Sequence, residues 1–148
     1  MKISTFLAPA QVMIDVAATD KEQLLTELSR KAGPIVDVLP DLLFAELRKR
    51  EEFGSTGMGG GVAIPHARFA QLHKPFALFV RLKRPIDFDA VDGKPVDIVF
   101  LLLLPGTPAG EHLGALASMA RKLHDPAIAA SLRSARDGRE MYRTLTAD

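Results

Sequence analysis

The chain has 148 residues, 47% of them hydrophobic and 25% charged, with a formal net charge of +1 and no cysteine. That is enough chain for one domain with a real core. The near-neutral balance leaves no strong field to mark a nucleic-acid or membrane partner, and the missing cysteines exclude disulfides and thiolate metal sites.

No RNP, zinc-finger or basic-region pattern occurs. The N-terminal Met1-Lys2-Ile3-Ser4-Thr5-Phe6-Leu7 lacks a long apolar core and a cleavage site, so no signal peptide is expected. The longest apolar run, 98–104, is far too short to cross a bilayer. A cytoplasmic protein without direct membrane insertion is the expectation.

Residues 1–10 predict a short turn of helix ending at Pro9. Val12, Ile14 and Val16 alternate with polar or small neighbours, the pattern of a half-buried strand. Asp20 then offers an N-cap with Gln23 three residues on. Leu24, Leu25, Leu28 and Ala32 form a helical stripe that Gly33-Pro34 should stop. A second helix is predicted over 40–51, with Leu43, Phe44 and Leu47 on its apolar face. Its last turn carries Arg48, Lys49 and Arg50, cations that suit the negative end of the helix dipole.

Gly54-Ser55-Thr56-Gly57-Met58-Gly59-Gly60-Gly61 follows, and holds five of the eleven glycines. Such a cluster points to unusual backbone angles or to close approach by another group. Val62-Ala63-Ile64 reads as a short buried strand that Pro65 ends or places at an edge. His66 is thereby delivered at a strand end, just past a glycine loop, where an imidazole can serve as nucleophile, base or metal ligand.

A strand is predicted over 76–82, then a loop over 85–95 with a turn at Asp92-Gly93. The run 96–104 is apolar on both faces except for Asp97, which marks a central, covered strand. Pro105-Gly106-Thr107-Pro108 should break it. Leu113, Leu116, Ala117, Ala120 and Leu123 then mark the core face of a helix over 111–124, and shorter helices are expected over 126–135 and 138–145. The alternation predicts one α/β domain over 1–148, a sandwich with a mixed β-sheet flanked by helices.

Two nucleotide-binding readings of the glycine stretch fail. A P-loop needs a lysine, and none occurs between Gly54 and His66. A Rossmann fingerprint opens a helix, whereas this segment runs into an apolar strand and Pro65. What survives is a turn whose N–H groups can cradle an anion.

Of the other histidines, His124 suits a helix C-terminus and His73 lies in a polar connection. His112, near the start of a helix that follows a central strand, is either a first-turn surface residue or a partner of His66. No spacing suggests zinc. A triad of Ser55, His66 and Asp87 or Asp92 can be drawn, but without a Gly-x-Ser-x-Gly elbow a hydrolase has little support.

The segment Arg50-Glu51-Glu52-Phe53-Gly54-Ser55-Thr56-Gly57-Met58-Gly59-Gly60-Gly61-Val62-Ala63-Ile64-Pro65-His66 resembles the signature of EIIA domains of the phosphoenolpyruvate-dependent phosphotransferase system. It is most similar to the mannitol/fructose class and its nitrogen-regulatory branch. The resemblance continues through Pro85-Ile86-Asp87-Phe88-Asp89-Ala90-Val91-Asp92-Gly93-Lys94-Pro95-Val96-Asp97 and His112-Leu113. Ala67-Arg68 stands where the family often has Gly-Lys, and Gly60-Gly61 makes the loop richer in glycine than usual.

The resemblance implies an α/β sandwich and a phosphocarrier, a phosphotransferase component rather than a turnover enzyme, with no cofactor and no metal. It implies that His66 accepts a phosphoryl group from an HPr- or NPr-like protein. Arg50, His112 and the segment Ser55, Thr56, Gly57 would stabilise that group. Downstream partners would be regulatory targets, a transporter or a sensor kinase, or an EIIB domain in a sugar-specific system. The chain ends soon after its final helix with no EIIB or EIIC segment attached, which favours regulation. A binding module of the same fold that works without phosphate is the alternative of a different class.

Overall fold

Residues 2–107 and 109–147 are described by a computed structural model of the protein. After 3₁₀ turns at Ile3–Thr5 and Pro9–Gln11, the order is β1 (Val12–Val16), α1 (Lys21–Val36), α2 (Pro40–Glu52), β2 (Gly57–Gly59), β3 (Val62–Ala63), β4 (His66–Phe69), β5 (Phe76–Ile86), β6 (Val96–Pro105), α3 (Gly110–His124), α4 (Pro126–Ser134) and α5 (Gly138–Thr146).

Strand periodicity divides the core in two. On β5 and β6 the side chains of Leu78, Val80, Val99, Leu101 and Leu103 pack on one face with Leu24, Leu28, Leu43 and Leu47 of α1 and α2. Their neighbours Ala77, Phe79, Ile98, Phe100, Leu102 and Leu104 pack on the other with Met119, Leu123, Leu132, Met141 and Leu145 of α3, α4 and α5. A strand covered on both faces has no polar side to show, which is why β6 reads as a continuous apolar run. The cross-strand pair Phe79 and Phe100 sits with ring centroids 6.4 Å apart, in the favourable tilted range.

The six-stranded sheet is mixed, as the sequence predicts. Its order is β1-β5-β6-β3-β2, with β4 also on β6. β1 runs parallel to β5 and β5 antiparallel to β6, while β3 and β4 both run parallel to β6. β3 and β4 therefore lie end to end along one edge of the central strand. Pro65 separates them, and its carbonyl accepts from Leu102 N–H at 3.0 Å.

Several boundaries differ from expectation. The N-terminal segment forms two 3₁₀ turns, and Pro9 opens the second instead of ending a helix. α1 passes through Gly33-Pro34 to Val36 and stops at Asp37, whose left-handed backbone carries its N–H to Gly33 O. Pro34 removes one donor, and Arg30, the residue whose carbonyl it would have served, is exposed to water. β5 continues past 82 to Ile86 because Pro85 falls where its pairing with β6 is interrupted, between Arg81 and Ile86. β6 includes Pro105, while Pro108 lies outside the described residues.

In α3 the buried residues are Ala115, Met119 and Leu123, whereas Leu113 and Ala117 are exposed. Only a narrow stripe of this helix meets the sheet, so its apolar positions exceed what the core can cover.

The glycine stretch is a tight hairpin. β2 pairs antiparallel with β3, and Gly60 and Gly61 make the turn with φ of 66° and 80°. A Cβ on Gly61 would lie 2.4 Å from Arg133 Nη2, so this turn admits the guanidinium only because the side chain is absent. Arg133 donates to Gly60 O at 2.7 Å and forks onto Asp97, with bonds of 2.9, 3.0 and 3.1 Å. From the other side Asp92 accepts Gly60 N–H at 3.0 Å.

Candidate functional site

His66 is the first residue of β4, half-buried, and enters the sheet opposite Leu102 in the C-terminal half of β6. Its Nδ1 lies 2.8 Å from the carbonyl oxygen of Ile64, two residues back. A carbonyl only accepts, so Nδ1 carries the proton in this contact and the lone pair of the neutral ring sits on Nε2. Strand alternation accounts for the contact: Ile64 N–H bonds to Thr56 O, away from β6, and its carbonyl points to the same side, whereas the Pro65 carbonyl points to β6.

His66 opens into a cleft of about 450 Å³ between the end of α2, β4 and the start of α3. Arg50 and Lys49 line it from the last turn of α2, Arg68 from β4, and Leu113 and Leu116 from α3. Arg50 Nη1 donates to Gly54 O at 2.9 Å, which ties the guanidinium to the first residue of the glycine segment. Arg68 shares the strand face of His66 because side chains two residues apart on a strand point the same way. The period-two rule was the available signal for Arg68. Phe53 also lines the cleft and is 84% exposed.

The structure brings Arg50 and His66 to one cleft. Ser55, Thr56, Gly57 and His112 are not among the residues that line it. Ser55 Oγ donates to Phe88 O at 2.8 Å and accepts Gly57 N–H at 3.0 Å. Thr56 donates through both its N–H and its hydroxyl to the Glu51 carboxylate. Gly57 is buried, and a Cβ there would come within 2.9 Å of Ala90. The polar groups of this segment are thus spent on α2 and on the 88–90 loop.

Glu51 is the residue that sequence reading passes over. Its side chain is 5% exposed and forms an ion pair with Lys21 Nζ at 3.0 Å, and the same ammonium lies 4.5 Å from the Phe88 ring centroid. α1, α2 and the glycine segment meet at this carboxylate. No local pattern separates it from its exposed neighbour Glu52.

His112 stands in the first turn of α3, its side chain 13% exposed. Its Nδ1 accepts Ala109 N–H at 3.1 Å, the return half of a capping box. That bond assigns the proton of the neutral ring to Nε2. The two histidines therefore hold opposite tautomers, His66 with an Nε2 lone pair and His112 with an Nε2–H donor. His73 and His124 are exposed. Among the described residues no group of three or more His, Cys, Asp or Glu side chains is placed to hold a metal, and no helix is long and apolar enough to cross a membrane. A second cleft of about 760 Å³ lies by the N-terminal turns and contains His73 but neither His66 nor Arg50.

Comparison with known proteins identifies the family and the fold. Residues 5–148 match the family model described as phosphoenolpyruvate-dependent sugar phosphotransferase system, EIIA 2. The chain is 44% identical over 145 residues to the nitrogen regulatory protein of Bradyrhizobium diazoefficiens, covering 98% of this chain and 95% of that one. With the nitrogen regulatory protein of Escherichia coli it shares 36% identity over 132 residues, 88% of this chain and 81% of the relative. Among solved structures, nitrogen regulatory protein IIA-Ntr from Neisseria meningitidis superposes with a TM-score of 0.93 at 35% identity, covering 97% of this chain and 99% of that one.

Proposed function

The chain belongs to the EIIA type-2 family of the phosphoenolpyruvate-dependent sugar phosphotransferase system, and on that premise we propose that it is a phosphohistidine carrier of the nitrogen-regulatory kind. His66 accepts the phosphoryl group from an HPr- or NPr-like phosphoprotein, and the phosphorylation state governs binding to regulatory targets such as a transporter or a sensor kinase. The observation that carries this reading is the His66 contact with Ile64 O, which leaves Nε2 as the nucleophile on the wall of a cationic cleft. The nitrogen regulatory relatives support the regulatory role.

In the transfer step the Nε2 lone pair attacks phosphorus in line with the nitrogen of the donor imidazole. The new Nε2–P bond forms as the old N–P bond breaks, and the donor ring leaves with that electron pair. Positive charge grows on the His66 ring, and the Nδ1–H to Ile64 O bond strengthens in step. Negative charge on the three equatorial oxygens meets the Arg50 guanidinium, held ready by Gly54 O. This reading assigns the Nε2–H of His112, the residue before the cleft-lining Leu113, as a donor to the bound phosphoryl group. Ser55, Thr56 and Gly57 serve by holding the segment that carries the Arg50 anchor.

The test is heteronuclear NMR of the protein labelled on its histidine rings and charged with phosphoenolpyruvate, enzyme I and an HPr-type carrier. Phosphorus coupling to Nε2 of His66 supports the reading. Coupling to Nδ1, or to another histidine, contradicts it.

A further inference from the structure

Lys21, the first residue of α1, does not line the cleft at His66, yet two routes of contact run from its ammonium to the anchor of Arg50. The first goes through Glu51. Lys21 Nζ lies 3.0 Å from Glu51 Oε1, and the Glu51 carboxylate takes both the N–H and the hydroxyl of Thr56. The second goes through the 88–90 loop. The same ammonium stands 4.5 Å from the Phe88 ring centroid and 3.8 Å from Asp89 Oδ2, and Phe88 O accepts the Ser55 hydroxyl at 2.8 Å. One cation thus holds the partners of both Ser55 and Thr56. Gly54 precedes them directly, and its carbonyl takes Arg50 Nη1 at 2.9 Å. Residues 54–56 belong to no helix or strand. Apart from two backbone bonds, Gly54 N–H to Glu51 O and Ile64 N–H to Thr56 O, these side-chain contacts set their place.

We propose that Lys21 is a positioning residue for phosphoryl transfer: through Glu51 and Thr56, and through Phe88 and Ser55, it sets where Gly54 O stands and so where the Arg50 guanidinium meets the transferring group. The proposal rests on the carrier reading and extends that site to a residue outside the cleft. The Glu51 side chain is only 5% exposed, so without the ammonium its carboxylate is left buried and short of a partner. It then turns toward water and takes Thr56 with it. A preorganised donor works only where charge develops. A misplacement of about 1 Å, caused by a change far from the chemistry, can cost about a hundredfold in rate. Lys21 acts on the reaction only through Arg50.

The experiment measures the second-order rate of phosphoryl transfer to the full chain from an HPr-type carrier charged with phosphoenolpyruvate and enzyme I. Lys21→Met keeps the apolar stem and removes the charge, and should slow transfer about tenfold. In an Arg50→Ala background the same substitution should change the rate by less than about twofold, since no guanidinium remains to be misplaced. Lys21→Arg restores the cation and should recover most of the rate. Thr56→Val removes one bond to Glu51 at nearly constant shape; it should repeat the pattern more weakly, and it carries the test if Lys21→Met fails to fold. Lys122→Met frees the carbonyls of Leu145 and Ala147, away from residues 54–56, and should leave transfer unchanged. A wild-type rate in Lys21→Met overturns the proposal. So does an equal slowing with and without Arg50, or a like slowing in Lys122→Met, since either marks a general loss of structure. These outcomes leave His66 as acceptor. A wild type that takes no phosphoryl group overturns the carrier reading and the proposal with it.

Discussion

Thr56 and Glu51 are bound to each other twice, the Thr56 N–H to Oε1 at 3.0 Å and the Thr56 hydroxyl to Oε2. With Lys21 at 3.0 Å the carboxylate is fully satisfied although only 5% of its side chain is exposed. Removing one partner of a buried pair leaves the other unpaired, so Glu51→Ala should lower stability by about 3 kcal/mol. Lys21 is partly solvated and has Asp89 at 3.8 Å to fall back on, which places the effect at the low end of the range for such pairs. Urea unfolding checks the value. A loss below about 1 kcal/mol would assign the cluster the modest weight of a surface pair.

Gly61 and Arg133 make a second test. Gly61→Ala combines a residue at φ of 80° with a clash against the tip of the Arg133 guanidinium, which can swing aside only by giving up its bonds to Gly60 O and Asp97. Together these should cost about 2–3 kcal/mol. In an Arg133→Ala background that clash vanishes, leaving backbone strain of about 1 kcal/mol and an approach to Asp97 Oδ1, which is then free of the guanidinium and able to give way. A double-mutant cycle in thermal or urea unfolding measures the difference, and simple additivity would show that the guanidinium yields to the added methyl group at no cost.

Asp92 ties the hairpin turn to acidity. Its carboxylate accepts N–H bonds from Lys94 and Gly60, and these hold its pKa below the usual carboxylate value. A depressed folded-state pKa stabilises the fold above the unfolded pKa, and that stability is lost as pH falls through the folded one. Wild type should therefore exceed Asp92→Asn in stability at neutral pH, and the two should converge in acid below the ordinary carboxylate range. Unfolding midpoints across a pH series read this directly, and a gap unchanged by acid would contradict it.

Arg50 and His112 should separate by kinetics. Arg50→Ala is expected to slow phosphoryl transfer about 10²–10³-fold, as loss of one preorganised charge stabiliser does. Its effect on stability should stay near 1 kcal/mol, the worth of its single bond to Gly54 O. His112→Ala should shorten the lifetime of the phosphorylated form and weaken the start of α3 by about 1 kcal/mol through the lost cap. Stopped-flow transfer and acid-quench decay measure the two effects. Unchanged rates would remove either residue from the site.

The parts of the fold that were legible in the sequence are those set by period and by caps. Asp20 caps α1 through Gln23 N–H as its spacing indicates, and the two-sided burial of β6 follows from its unbroken apolar run. What escaped depends on partners far along the chain. The hairpin in the glycine stretch needs Asp92 and Arg133, respectively 32 and 73 residues beyond Gly60. Arg81 closes the end of α4 by donating to the carbonyls of Leu132 and Ala135, a bond across more than fifty residues. Leu113 reads as core because helical spacing cannot say how wide a stripe the sheet will cover. In the site, His66 and Arg50 were legible from their motif, while Ser55 and Thr56 carry the same motif and turn instead toward Phe88 and Glu51.

The central claim is that His66 takes a phosphoryl group. Intact mass after incubation with phosphoenolpyruvate, enzyme I and an HPr-type carrier tests it most directly, on wild type and His66→Ala side by side. The account predicts one acid-labile phosphoryl group on wild type and none on the variant. An unmodified wild type, or equal labelling of both proteins, would contradict it.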